Sequence, residues 1–132
     1  IYKFIKNNKN FKETQKNIIA NDEGMFILEG CNNKGKSIKI LINYPSDTVS
    51  IIDSVFKFYE KNKPFDIVIT SIRDMYCERD CLLETFKINE DFIELPLAKV
   101  TRKNDKEIAC KNYYERVFTL AKSILALPPF NL

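Results

Sequence analysis

The sequence predicts an α+β fold, a mixed sheet of about four strands with helices packed on it. Its elements run N-terminal helix, β-hairpin, helix, strand, short helix, strand, C-terminal helix. Three observations carry that prediction. Two apolar stretches, MFILEG at 25–30 and SIKILINY at 37–44, flank a polar turn rich in Asn and Gly, which is hairpin chemistry. A third stretch, FDIVITSI at 65–72, is dense in β-branched residues and suits an interior strand. Residues 48–62 and 105–126 place their apolar side chains at helical spacing. A hairpin followed by β-α-β connections makes a mixed sheet with helices on it.

Taken in order, residues 2–20 read as a helix, with Phe4, Ile5, Phe11, Ile18 and Ile19 as a thin apolar stripe. Lys3, Lys6, Lys9, Lys12 and Lys16 recur every three or four residues and would share its polar face. Asn21, Asp22 and Gly24 then break the helix. After the hairpin, Pro45 closes the unit, and Ser46 or Asp47 can cap a helix over 48–62. That helix presents Val49, Ile52, Phe56 and Tyr59, with Ile51, Val55 and Phe58 widening the face. Residues 73–86 have helical spacing through Met75, Leu82, Leu83 and Phe86. Residues 91–100 read as a short strand, at an edge or bulged because of Pro96. Asn104 and Glu107 form a capping box for a last helix whose core face is Cys110, Tyr114, Val117, Ala121 and Ile124.

With 132 residues, 45% hydrophobic and 30% charged, the chain suits one globular domain over 1–132. It starts at Ile1 without Met, as a piece of a longer chain would. The absence of His removes the commonest general base, the Ser-His and Cys-His nucleophile pairs, and most zinc sites. No apolar run approaches the roughly 20 residues of a membrane span. Four cysteines, Cys31, Cys77, Cys81 and Cys110, are too few for a disulfide framework. Reduced thiols and an intracellular location, cytoplasmic or nuclear, are the expectation. Cys77 and Cys81 would share a helix face but lack partners for a metal site.

The net charge of +3 is unevenly laid out. Residues 1–20 hold five Lys against one Glu, and residues 99–122 hold seven basic groups against three acidic ones. Between them, residues 72–94 hold seven acidic groups against three basic. The acidic group is Asp74, Glu78, Asp80, Glu84, Glu90, Asp91 and Glu94, which reads as a solvated or partner-binding face. The basic tracts 3–16 and 99–106 lie near Phe11, Tyr113 and Tyr114. Basic groups beside aromatic rings can hold single-stranded nucleic acid, with Lys9, Lys12, Arg102 and Lys103 as candidate contacts.

One motif stands out. GCNNKGKS, from Gly30 to Ser37, fits the phosphate-loop pattern G-x-x-x-x-G-K-[ST]. In that chemistry Gly30 and Gly35 let the backbone wrap phosphates, Lys36 reaches the outer phosphates, and Ser37 holds Mg²⁺. FILEG followed by GKS resembles the start of a thymidylate-kinase-type P-loop kinase, and INYPS is loosely similar to a later strand of such enzymes. The resemblance spans some 20 to 30 residues of the 132 and implies ATP and Mg²⁺ as cofactors. A phosphate loop, however, opens a helix of several turns. Here Ile38, Ile40 and Ile42 alternate through a strand-like stretch that Pro45 ends. The Asp-Arg-Tyr or Asp-Arg-His tripeptide of that kinase family is missing, and 65–72 does not end in the acidic residue of a Walker B strand.

The expected function is therefore a non-catalytic binding or assembly domain that contacts other protein subunits of a larger complex. Two alternatives stand beside it. One is an NTP-binding, kinase-like domain using Gly30, Gly35, Lys36 and Ser37. The other is a nucleic-acid-binding module using the two basic tracts.

Overall fold

A computed structural model describes residues 1–20, 23–44, 46, 48–72, 77–88, 92–95 and 107–132. The chain divides into two compact units, Tyr2–Phe92 and Ile93–Leu132, with Ile1 grouped with the second.

The first unit opens with a short helix, α1 (Tyr2–Lys6), and continues into strands β1 (Phe11–Ala20), β2 (Glu23–Cys31) and β3 (Ser37–Tyr44). Helix α2 (Val49–Asn62), strand β4 (Ile67–Thr70) and helix α3 (Glu78–Phe86) follow. The strands form one sheet in the order β1-β2-β3-β4. The first three are antiparallel neighbours, and β4 runs parallel to β3, reached through α2. A parallel neighbour needs such a crossover, because no tight turn can return a chain in the same direction. The α+β class with a four-stranded mixed sheet is thus as the sequence predicts.

The expected helix over 2–20 is corrected. It stops at Lys6, and residues 11–20 are the first strand. Asparagine ends the helix: the Asn8 side-chain oxygen accepts from the Asn10 amide at 3.0 Å, and the Asn8 carbonyl accepts from the Phe11 amide at 3.0 Å. That local bonding gives the backbone an alternative to the helix ladder. The lysine spacing that suggested a helix is also met by a helix, a turn and a strand in succession. Gly24, expected to break a helix, lies within β2.

Period-two alternation sorts the sheet residues between its faces. One face carries Met25, Ile27 and Leu41, packed against Val55 and Phe58 of α2, with Ile51, Tyr59, Phe65 and Phe86 around them. Phe86 meets Phe56 edge-on at 5.3 Å and Tyr59 at 5.3 Å, so aromatic contacts fasten α3 to α2. The other face carries Phe26, Leu28, Ile38, Ile40 and Ile42, all buried. Burial on both faces explains why β2 and β3 read as near-continuous apolar text.

In α2 the buried positions are Ile52, Val55 and Phe58, while Val49 is exposed. Its cap is Thr48, whose hydroxyl accepts from the Ile51 amide at 3.3 Å. Ser46 is instead fully buried, joined to Asn43 and Thr70 in a hydrogen-bonded group that ties the end of β3 to β4. The short helix expected over 73–86 runs Glu78–Phe86, ending on Lys87 in the left-handed conformation; residues 73–76 lie outside the described residues. Residues 92–95 are not strand, and the remainder of the strand expected over 91–100 lies outside the described residues.

The second unit holds α4 (Glu107–Ala126), close to the expected 105–126; Asn104 of the expected capping box lies outside the described residues. Cys110 and Leu125 are buried, whereas Tyr114 is exposed. The tail folds back on the end of this helix, with the Leu132 amide donating to the Leu125 carbonyl at 2.8 Å.

Candidate functional site

GCNNKGKS forms the end of β2, a tight turn and the start of β3, with Cys31 paired to Ser37. Asn32 organises the turn. Its side-chain oxygen accepts from the Lys34 amide at 3.0 Å and the Lys36 amide at 2.9 Å. Its carbonyl accepts from the Gly35 amide at 2.9 Å, and its own amide donates to the Lys36 carbonyl at 2.9 Å. A phosphate loop presents its amides outward, as an open nest for anions. In this turn the amides of Lys34, Gly35 and Lys36 are directed inward to Asn32.

Both glycines of the motif have structural work. Gly35 has φ +75°, the left-handed conformation that glycine adopts without strain. Gly30 lies under β1: a Cβ there would sit 1.9 Å from the Asn10 carbonyl oxygen and 2.8 Å from Phe11 Cα. Lys36 reaches across to Asp66, just ahead of β4, at 3.4 Å. Asp66 also accepts from the Lys39 amide at 3.0 Å, and that bond, more than Lys36, holds its carboxyl below the usual carboxylate range. Ser37 is exposed at the first position of β3. Of the four motif residues, Gly30 admits β1, Lys36 pairs with Asp66 ahead of β4, Gly35 turns the chain and Ser37 is exposed.

The N-terminal lysines are redistributed by the α1–β1 turn. Lys12 pairs with Glu29 in the β1–β2 register, and Lys16 pairs with Phe26. Glu29 and Phe26 lie on opposite faces of β2, so Lys12 and Lys16 are separated too. Lys9 is exposed in the turn. Arg102 and Lys103, the other candidate nucleic-acid contacts, lie outside the described residues.

What the fold does bring together is Lys3, Lys6 and Lys16. With Tyr2, Phe26 and Tyr44 they line a cleft of about 380 Å³ beside α1. Phe26 is the centre of its aromatic wall, 4.2 Å from the Tyr2 ring and stacked on Tyr44 at 5.5 Å. Lys6 is held over the Tyr2 ring at 5.2 Å, bonds the Tyr2 hydroxyl at 2.9 Å and pairs with Glu13 at 3.2 Å. The Tyr2 hydroxyl donates to Glu13. That donation, aided by Lys6 and Lys16, lowers the Glu13 carboxyl pKa, while burial and then Glu13 raise that of Tyr2. The lysines were legible as a basic tract, but nothing in the sequence links Phe26 and Tyr44 to them.

Along the outer side of the sheet, β1 is an edge strand. Its side chains from Thr14 to Ile19 are exposed, including Ile18 and Ile19 at 46% each. Its register shifts between Glu13 and Gln15 and again between Ile18 and Ala20.

The remaining candidates are scattered. Cys31 and Cys77 are exposed, Cys81 is half-buried and Cys110 buried, all as free thiols. Of the acidic group, Glu78, Asp80, Glu84 and Glu94 are described; Asp74, Glu90 and Asp91 lie outside the described residues. No group of three or more acidic or thiol ligands converges among the described residues. No described helix is long and apolar enough to cross a membrane.

The fold and these surfaces define an α+β domain with a hairpin-centred mixed sheet, an open strand edge and a basic, aromatic-walled cleft. Compared with protein-family models, curated proteins and solved structures, the chain matches none.

Proposed function

We propose that the protein is a non-catalytic binding domain that joins other protein chains into an assembly, taking an extended, acidic segment of a partner along β1. The observation that carries this reading is the outer edge of β1. An edge strand offers a row of backbone donors and acceptors that an added strand can pair with. Between its two register shifts, Gln15–Ile18 keeps a regular ladder with β2. The exposed Ile18 and Ile19 offer apolar contact alongside.

Charge sets the partner's chemistry. The first 20 residues carry five Lys against the single Glu13, so an acidic segment is attracted and a second basic edge repelled. The bulges and lysines also guard against self-pairing, a usual device on exposed edges.

The test is titration of the intact chain with a labelled peptide of alternating Glu and Val, followed by amide hydrogen exchange. Binding that newly protects amides within 15–19 supports the reading, and Ile19→Glu should remove it with the circular dichroism unchanged. Absence of binding, or protection confined to other elements, refutes it.

A further inference from the structure

We propose that the cleft beside α1 binds a nucleotide unit, its base against the aromatic wall and its phosphate at Lys3 and Lys16. This rests on observations other than those for the partner strand on β1, although Ile18 both lines the cleft and belongs to that strand.

The cleft gathers three ammonium groups, Lys3, Lys6 and Lys16, with Glu13 as the nearby carboxylate. Glu13 is engaged by Tyr2 and Lys6. Lys3 belongs to no ion pair among the described residues, Lys16 acts on Glu13 through its charge without a close ion pair, and both are exposed. Two exposed cations, placed by different elements at one opening, suit a phosphate better than an isolated surface lysine does.

The shape of the cleft also suits a base. The Tyr2, Phe26 and Tyr44 rings form a continuous wall, with Phe26 almost wholly buried and the two tyrosines half-buried. Packing on Phe26 holds both tyrosines in place, so little ordering remains to be done when a base stacks. Aromatic stacking accepts any base, because every base has a π-face. A volume of about 380 Å³ is near the low end for ligand pockets. It suits one nucleotide unit, not a larger ligand. The same chemistry is presented by a free mononucleotide and by one unit of a single strand.

The experiment uses the full chain and labelled oligothymidylate, followed by fluorescence anisotropy at several salt concentrations, with thymidine monophosphate as competitor. Measurable binding is expected, and Lys3→Gln/Lys16→Gln should weaken it at least tenfold and lower the salt slope by about two. Tyr44→Leu should weaken it at least about fivefold. Lys9→Gln/Lys12→Gln, which alters as many charges outside the cleft, should change it less than twofold.

Competition by the monophosphate identifies the free nucleotide as a ligand. Retention of the oligonucleotide alone identifies a strand, and either supports the cleft. The proposal is overturned if neither ligand binds at low salt. It is equally overturned if the Lys3/Lys16 variant behaves like the Lys9/Lys12 control. Both lysines are exposed, so that pair of variants decides the matter even if Tyr44→Leu unfolds.

Discussion

Gly30→Ala distinguishes a hairpin glycine from a phosphate-loop glycine. The added Cβ would meet backbone atoms at 1.9 and 2.8 Å, so no side-chain rotation relieves it. Strand β1 has to retreat by about 1 Å, judged from the 3.0 Å limit for real Cβ contacts. The Cys31 amide then loses its 3.2 Å bond to the Asn10 carbonyl, about 1 kcal/mol. Phe11, now only 4% exposed, gives up part of its burial, about 1–2 kcal/mol of the roughly 3 a fully buried Phe contributes. The expected loss is about 2–3 kcal/mol. Gly35→Ala meets nothing within 4 Å and suffers only from its φ of +75°, about 1–2 kcal/mol. Urea unfolding followed by circular dichroism measures both. A Gly30→Ala chain within about 0.5 kcal/mol of the unmodified one, or less affected than Gly35→Ala, would refute the close approach of β1 to β2.

Three further outcomes follow from the same geometry. Asn32→Ala removes the acceptor for two turn amides and should cost about 1–3 kcal/mol, whereas Asn32→Asp keeps that acceptor and should cost less in the same urea titration. Mg²⁺-ATP should leave the amide resonances of Lys34, Gly35 and Lys36 unmoved, since those amides already donate to Asn32; shifts there that vanish in Lys36→Ala would restore the phosphate-loop reading. Stability should also depend on pH at both extremes. Glu13 and Asp66 titrate below their ordinary range when folded, so their contribution is present above the unfolded carboxylate value of about 4 and is lost as pH falls below it. Tyr2 titrates above its ordinary range, so its contribution holds below about pH 10 and is lost as pH rises further. Thermal melts of Glu13→Gln should show a flatter acid limb, and an unchanged limb would count against the Tyr2–Glu13–Lys6 cluster.

The identity of the hairpin was within reach of local reasoning because strand and turn preferences agree there. Ile38, Ile40 and Ile42 favour extended backbone, Pro45 forbids a long helix, and Asn32 and Gly35 are turn residues. Residues 11–20 were harder. Their lysines fit helical spacing, and no strong alternation speaks for a strand. They are extended because β2 is apolar on both faces and has a second edge to pair, with Gly24 and Gly30 admitting β1 closely. That constraint comes from across the sheet and leaves little mark within 11–20.

The same division holds for the functional surfaces. By itself the sequence determined the α+β class, the hairpin between β2 and β3, a strand after Pro64 and the basic character of the first 20 residues, because each rests on neighbours within a few positions; that strand, expected in the interior, is instead the sheet's other edge, with Ile67 buried and Val68 exposed. Only the tertiary structure decided which lysines act together. A sheet face is shared by residues far apart in the chain, so Lys16 joins Lys3 and Lys6 beside Phe26 and Tyr44, while Lys12, four residues away, lies on the opposite face. It likewise decided what the glycines of GCNNKGKS are for: one makes room for the neighbouring strand and the other turns the chain.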